Sequence, residues 1–579
     1  MKKFIKYLAM LLTIALMAGL LYGCGGSSND DEPYPTPDAD RPAPPDTTGD
    51  SDPVQDPVIR RPGFVELNIF NVAGPINGFE QDDPIWQNNP LALQIYEDLN
   101  ILINWEMPTG DGNERLSLLL SAGEPPDIIM GPNAFNFNRI VNDGIAIPLN
   151  NLIDSYGPNI QRTFGPVLDF LRSPNDNIYS LAREFGQFTE GDTVPGFGNG
   201  LVIRNDAWQA VGAPTLNSLD DVYNVLTQLA AMEQFRYNHE GDSVWPMGGF
   251  VQAWGNPVQT VLGAAGMLSY IWYEGASGDI YYWVRSPQAL DIVLFFNRIF
   301  NEGLYDPGAF TLDSGTWYGS KVATARTLSF FGGWWQAWNT HTNFYIPAGI
   351  EGAENMNFVT VPFRVSPAQR HRPNLVAVSS IGNRSAVITT SASDAVARAA
   401  MQLFDYLSIP ENNFTVMNGA EGIMWNFADG TPVMRPEFKE RWLAGEGDAM
   451  FSEETGLRLY HQIVGTSAGR SPWGTYWVLR DDPVIMGDTR AAARDAALGA
   501  YWFDGFATGG IGNVAPPEIL SLYLRISEMF HNDLYFAIRA GSEAEAIAAW
   551  EVYLEALETI GLRDLEAFAN EERNRRLGR

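Results

Sequence analysis

Gly465-Thr466-Ser467-Ala468-Gly469 spells G-x-S-x-G, the sharp turn that presents a serine nucleophile in hydrolases. Such a turn needs a strand before the serine and a helix after it. Here only Ile463-Val464 precedes, and Arg470-Ser471-Pro472-Trp473-Gly474 follows, whose proline and glycine oppose a helix. The pattern arises readily by chance among 56 glycines, so Ser467 is expected to be inert. The five histidines (His239, His341, His371, His461, His531) are scattered, with no metal-ligand spacing. No Walker A run exists, and Gly196-Phe197-Gly198-Asn199-Gly200 lacks the dinucleotide spacing. A single cysteine excludes an internal disulfide framework and any multi-cysteine metal centre. No metal and no other cofactor is expected. A glycoside hydrolase needs only two carboxylates about 5–10 Å apart. The 69 Asp and Glu residues supply many pairs, and a surface glycoside hydrolase stands as the alternative reading.

Composition narrows the classes further. A chain of 579 residues with 45% apolar and 18% charged residues has ample core for a multi-lobed globular body. Its net charge of −32 argues against nucleic acid, whose phosphates need a basic footprint. Residues 1–23 read as a signal peptide: Lys2, Lys3 and Lys6 precede an apolar run from Tyr7 to Tyr22. The sole cysteine, Cys24, follows at once. Leu21-Tyr22-Gly23-Cys24 resembles the lipobox of bacterial lipoproteins, with Tyr22 standing where a small or β-branched residue is usual. That resemblance implies an acylated Cys24 as the mature N-terminus and a chain held to the cell membrane on its extracytoplasmic side. Losing the three lysines takes the net charge from −32 to −35. Residues 25–62 carry nine prolines and nine acids and read as an extended, self-repelling tether, reaching on the order of 100 Å.

From residue 64 the spacing is that of a folded α/β body. Val65, Leu67 and Ile69 alternate as in a strand, and Asn89-Pro90 opens a helix with Leu91, Ile95 and Leu99 on one face. Ile101–Trp105 reads as a second strand. Asn113–Ala122 reads as a helix stopped by Gly123, and Asp127–Met130 as a third strand. The β-α-β-α-β order implies a parallel, doubly wound sheet whose ligand edge lies beyond the strands' carboxyl ends. That edge comprises the loops 71–86, 107–112 and 131–137. Later segments include helices at Asn217–Ala231 and Pro287–Phe300 and a short strand at Thr327–Phe331. A final helix is capped by Ser542 with Glu545 and ended by Gly561, with Ile547, Trp550, Leu554 and Leu557 on its buried stripe. There is no internal repeat and no second linker.

The chain resembles the family 1 extracellular solute-binding proteins, over most of residues 64–579. The resemblance is carried by Leu118-Leu119-Leu120-Ser121-Ala122-Gly123-Glu124-Pro125-Pro126-Asp127-Ile128-Ile129 and by Gly144-Ile145-Ala146-Ile147-Pro148-Leu149. Ile203-Arg204-Asn205-Asp206-Ala207-Trp208, Glu302-Gly303-Leu304-Tyr305-Asp306-Pro307 and Gly332-Gly333-Trp334-Trp335 continue it in order. It implies a two-lobed α/β, periplasmic-binding-protein-like (Venus flytrap) fold, each lobe a doubly wound sheet with flanking helices. Residues 64–180 and 375–425 form lobe 1 on this reading, and 181–374 and 426–579 form lobe 2. It further implies no catalysis, a monomer, a carbohydrate ligand and an ABC permease as partner.

Sugar binding asks for flat apolar faces beside polar groups. Trp334 and Trp335 follow a strand and a Gly332-Gly333 break, at a strand's carboxyl end, and the family carries a stacking tryptophan there. Each of the two either faces ligand or belongs to the core. Trp254 is a further candidate. Asp82, Asp83 and Trp86 lie in the loop after the first strand, and Asn133 in the loop after the third. Glu421 stands between Gly419 and Gly422, where binding and structural duty weigh equally.

Overall fold

The computed structural model describes residues 63–72, 89–108, 111–173, 175–181, 186–187, 199–250, 257–269, 271–333, 336–337, 340–367, 375–380, 386–443, 501–504 and 507–579. Cys24, the tether and Ser467 lie outside the described residues. So do Asp82, Asp83, Trp86, Trp254, Trp334 and Trp335.

The first strand, β1 (Val65–Asn71), is followed by α1 (Pro90–Leu99), β2 (Ile101–Glu106), α2 (Gly112–Ala122), β3 (Ile128–Met130) and α3 (Ala134–Asn142). Local chemistry sets these ends. Asn89 Oδ1 accepts the Ala92 N–H at 2.9 Å, and Pro90 occupies the first turn, where no N–H is needed. Gly123 closes α2 at φ 75°, a left-handed conformation that an L side chain resists. β1 pairs in parallel with β2 (Val65↔Ile101) and with β3 (Ile69↔Ile128), the arrangement expected from the sequence.

The chain then passes through β4 (Gly186–Gln187) into a second core. There it forms β5 (Asn199–Arg204), α4 (Leu219–Ala231), α5 (Ala289–Asn301), β6 (Ser329–Gly333) and β7 (Phe358–Val361). It returns through β8 (Leu375–Ser380) to β9 (Ala386–Ile388) and α6 (Asp394–Leu407). β10 (Tyr501–Asp504) then leads to α7 (Glu543–Ile560) and α8 (Leu562–Arg576). One core joins Leu67, Ile69, Ile103 and Ile128 to Ala400 and Phe404 of α6. The other joins Leu201, Ile203, Phe296 and Phe331 to Trp550 and Leu557 of α7. The sheet orders are β9-β3-β1-β2, β6-β5-β7 and, where the chain passes between the cores, β10-β8-β4.

Neither lobe's sheet is wholly parallel. β9 runs antiparallel to β3, and β5 antiparallel to both β6 and β7. The cause is common to both lobes. Strands that end at the crossover side point toward it, and the strand that enters from it must point away. Hence Ala386 begins β9 beside Met130, the last residue of β3, and Asn199 begins β5 beside Gly333, the last of β6.

Several boundaries differ from the sequence expectation. α4 starts at Leu219, because Ser218 caps it and the Asn217 N–H is taken by the Asp221 carboxylate at 2.8 Å. α5 starts at Ala289, since Pro287 lies in the turn before it. The strand expected at Thr327–Phe331 is β6 at Ser329–Gly333, so Gly332-Gly333 is no break. Both glycines are paired, with Gly200 and Asn199. A Cβ on Gly200 would stand 2.6 Å from the Val361 carbonyl oxygen, so the close strand packing requires glycine there. Gly561 (φ 108°) ends α7 as expected, but a further helix, α8, follows directly, and its polar sequence conceals buried Leu562, Leu565 and Ala569.

Candidate functional site

The carboxyl edge of the first lobe's sheet is built from β1, β3 and the starts of α2 and α3. Asp111 accepts the N–H groups of Asn113 (2.8 Å) and Glu114 (3.2 Å), fixing the first turn of α2. Gly112 lies so close to the end of β1 that a Cβ there would stand 2.0 Å from the Val72 carbonyl oxygen. The loop after β3 is tied to α2 by amides. Asn113 Oδ1 accepts the Asn133 backbone N–H at 3.0 Å and Asn136 Nδ2 at 3.3 Å, and Asn136 Nδ2 also donates to the Asn113 carbonyl at 3.0 Å. Ser117 donates to Asn136 Oδ1 at 2.9 Å, so the wholly buried Asn136 is satisfied on both sides.

Asn133 therefore has a fixed backbone. Its Oδ1 caps α3 by accepting the Asn136 N–H at 2.9 Å. Its Nδ2 is an exposed donor with no partner among the described residues. One residue beyond the first position of α3, Phe135 is also exposed. An edge of this kind offers an N–H donor and an apolar ring side by side in sequence. Among the described residues no group of three His, Cys, Asp or Glu is placed to hold a metal ion.

On the second lobe the corresponding edge is the end of β6 and the start of β5. The Gly333 N–H donates to Gln336 Oε1 at 2.8 Å. Trp245 and Gly248 run alongside Thr327 and Phe330 in the parallel sense. A groove of about 600 Å³ also lies in the second lobe, with Asp220, Asp291, Glu302 and Glu543 around Arg298. It includes neither Asn199 nor Gly333.

Two of the eight residues expected from sequence to bind ligand can thus be placed. Asn133 is on the first-lobe edge. Glu421 is exposed in the turn between Pro410–Asn418 and the hairpin Trp425–Met434, and no described contact joins it to Asn133. Its turn is organised by structure: Trp425 Nε1 donates to the Gly419 carbonyl at 2.8 Å, and Gly422 adopts φ 86°. Sequence reading passed over Asn113, Asn136, Phe135 and Gln336. The three-residue spacing of Asn133 and Asn136 is a cap signal that could have flagged Asn136.

No family model matches the chain. Over 275 residues it is 25% identical to the fructooligosaccharide ABC transporter substrate-binding protein FusA of Streptococcus pneumoniae, covering 46% of this chain and 48% of FusA. It is 24% identical over 235 residues to lipoprotein LipO of Bacillus subtilis, covering 39% and 43%. The chain spans about half, or less, of the length of these curated relatives. By structure it is similar to FusA in complex with kestose, with a TM-score of 0.64, 16% identity, and coverage of 89% of this chain and 100% of that one. An HMO-binding ABC-transporter-associated solute-binding protein from Bifidobacterium longum infantis gives 0.61 at 14% identity, covering 88% and 99%. Alginate-binding protein AlgQ2 gives 0.59 at 15%, covering 88% and 98%. The chain has the two-lobed α/β fold of solute-binding proteins.

Proposed function

We propose that the chain is an extracytoplasmic substrate-binding lipoprotein of the family 1 type, which captures a sugar or oligosaccharide between its lobes and delivers it to an ABC permease. Lobe 1 is taken as 64–180 with 375–425, and lobe 2 as 181–374 with 426–579. Cys24 carries the lipid that keeps the body at the membrane, and the protein performs no catalysis. Asn133, Asp82, Asp83 and Trp86 act from the first lobe, with Glu421 near it. Trp334, Trp335 and Trp254 act from the second.

The observation that carries this reading is the likeness to FusA, reached through sequence over 46% of the chain and through fold over 89% of it. The fold supplies a mechanism. Strand ends of both lobes lie on the crossover side, so a ligand held by both stabilises the closed form by its differential affinity for it. Calorimetry and thermal shift against kestose, fructo-nystose, an alginate oligosaccharide and milk oligosaccharides test the proposal. A sugar present at 100 times its Kd should add about 2.7 kcal/mol to stability. If no member of the panel shifts the melting temperature or gives heat, the carbohydrate assignment is wrong.

A further inference from the structure

Phe135 is 51% exposed, and no ring or cation engages it among the described residues. The other exposed rings differ in this respect. Tyr237 lies under Arg236 at 6.0 Å, Phe344 meets Tyr318 at 5.9 Å, Phe427 meets Trp425 at 5.2 Å, and Phe536 lies under Arg539 at 5.9 Å. The tryptophans Trp272, Trp283, Trp317 and Trp425 are fully buried core residues, so none offers a face to a ligand. Phe135 also sits where a ligand would arrive. It is in the first turn of α3, directly beyond the carboxyl end of β3. The same helix packs against Ile511–Val514, whose Ile511 belongs to the second lobe's core, so α3 borders the space between the lobes.

A phenyl face alone is only a hydrophobic surface. Two residues earlier stands Asn133, with a free Nδ2 donor and a backbone N–H held by Asn113 Oδ1. The buried Asn136, satisfied by Asn113 and Ser117, anchors the turn that carries both groups. The ring and the donor are therefore presented by one rigid turn. A pyranose or furanose has the matching surface, a C–H patch flanked by hydroxyl oxygens.

We propose that Phe135 is the first lobe's stacking face for a sugar ring, that Asn133 Nδ2 donates to a hydroxyl of that ring, and that Asn113 is a positioning residue for both. This rests on the carbohydrate-binding reading and assigns residues within that site. The test titrates the full chain and its variants with kestose, fructo-nystose and an alginate oligosaccharide, using the sugar that the wild type binds most tightly. Phe135→Ala should weaken binding about tenfold or more while the melting temperature changes little, since Phe135 is half exposed and engages no other ring or cation among the described residues. Phe135→Tyr should keep most of the affinity. Asn113→Ala should raise the dissociation rate, and Asn113→Asp, which keeps the acceptor, should restore it. Wild-type binding with Phe135→Ala at full affinity overturns the proposal and leaves the general function standing. A lowered melting temperature at unchanged affinity makes Phe135 structural and also overturns it. If the wild type binds none of these three sugars and no milk oligosaccharide, the carbohydrate reading fails and this assignment falls with it.

Discussion

Arg576 Nη1 donates to the Gly509 carbonyl at 2.6 Å, so the end of α8 holds the segment by which the chain re-enters the second lobe after β10. Its Nε binds Glu572 Oε1 at 2.6 Å, in a pair where both side chains are more than nine-tenths buried. Removing Arg576 takes one of two cations from the buried Glu572, leaving it to Arg575 at 2.7 Å, and also removes the hold on Gly509. Arg576→Met is predicted to cost about 3 kcal/mol, read as a lower urea midpoint at unchanged slope. A midpoint equal to the wild type's would show that the pair contributes nothing.

Glu572 makes the same contact sensitive to acid. Burial pushes its carboxyl up, but the hydrogen bonds and charges of Arg575 and Arg576 outweigh burial and hold it below the ordinary carboxylate range. A depressed acid stabilises the fold fully above its unfolded value of about 4.3, and that contribution is lost as pH falls through the folded value. The stability gap between the wild type and Glu572→Gln should therefore be widest near neutrality and shrink on acidification. A gap that stays constant down to about pH 3 would place the effect elsewhere than in this carboxyl's titration.

Gly112→Ala probes the junction of α2 with β1. The new Cβ would fall 2.0 Å from the Val72 carbonyl oxygen, so the helix start must move. The expected loss is about 1–3 kcal/mol, accompanied by weaker ligand binding because Asn113 and Asn133 move with the helix. A crystal structure of the variant with Asn113 and Asn133 unmoved would refute the link.

For the second lobe, the proposed stacking role of Trp334 and Trp335 separates by its two readouts. A ligand-facing ring truncated to alanine should cost a few kcal/mol of binding with little change in stability. A core ring should instead cost roughly 3–5 kcal/mol of stability. Calorimetry beside unfolding curves distinguishes them, and two variants that bind normally would end the proposal.

Cys24→Ser should move the protein from the membrane fraction to the soluble extracytoplasmic fraction with ligand affinity intact. Continued fractionation with membranes would overturn the lipid anchor.

Sequence made legible what is decided locally. The Asn89 cap, the Gly123 stop and the Ser542 cap each depend on residues within one turn, and the structure has all three. Glu545 caps slightly differently from expectation, accepting the Gly541 N–H at 3.0 Å. Pairings between distant segments were opaque. Nothing in Ala386-Val387-Ile388 says that it will lie antiparallel to β3. α8 escaped notice because its buried face includes Glu566, Glu572, Arg573 and Arg576, which no apolar periodicity reports. Phe135 was missed because an aromatic beside buried Asn136 and Phe137 reads as one more core residue until its exposure is known.

The interleaved chain path also dictates an order of assembly. Thr389 Oγ1 donates to the Pro126 carbonyl across 263 residues of sequence, and β9 completes the first sheet only after that span has been made. Closing a flexible loop of such length carries an entropy cost of about 5 kcal/mol. Yet the span has neighbouring ends, since β4 and β8 pair at Ser379↔Gln187. A second lobe that condenses first would bring its own entrance and exit together and remove most of that cost. The first lobe should therefore be the last part to become native. Interrupted refolding should find protection from hydrogen exchange at Val202 and Phe330 before it appears at Ile69 and Ile129.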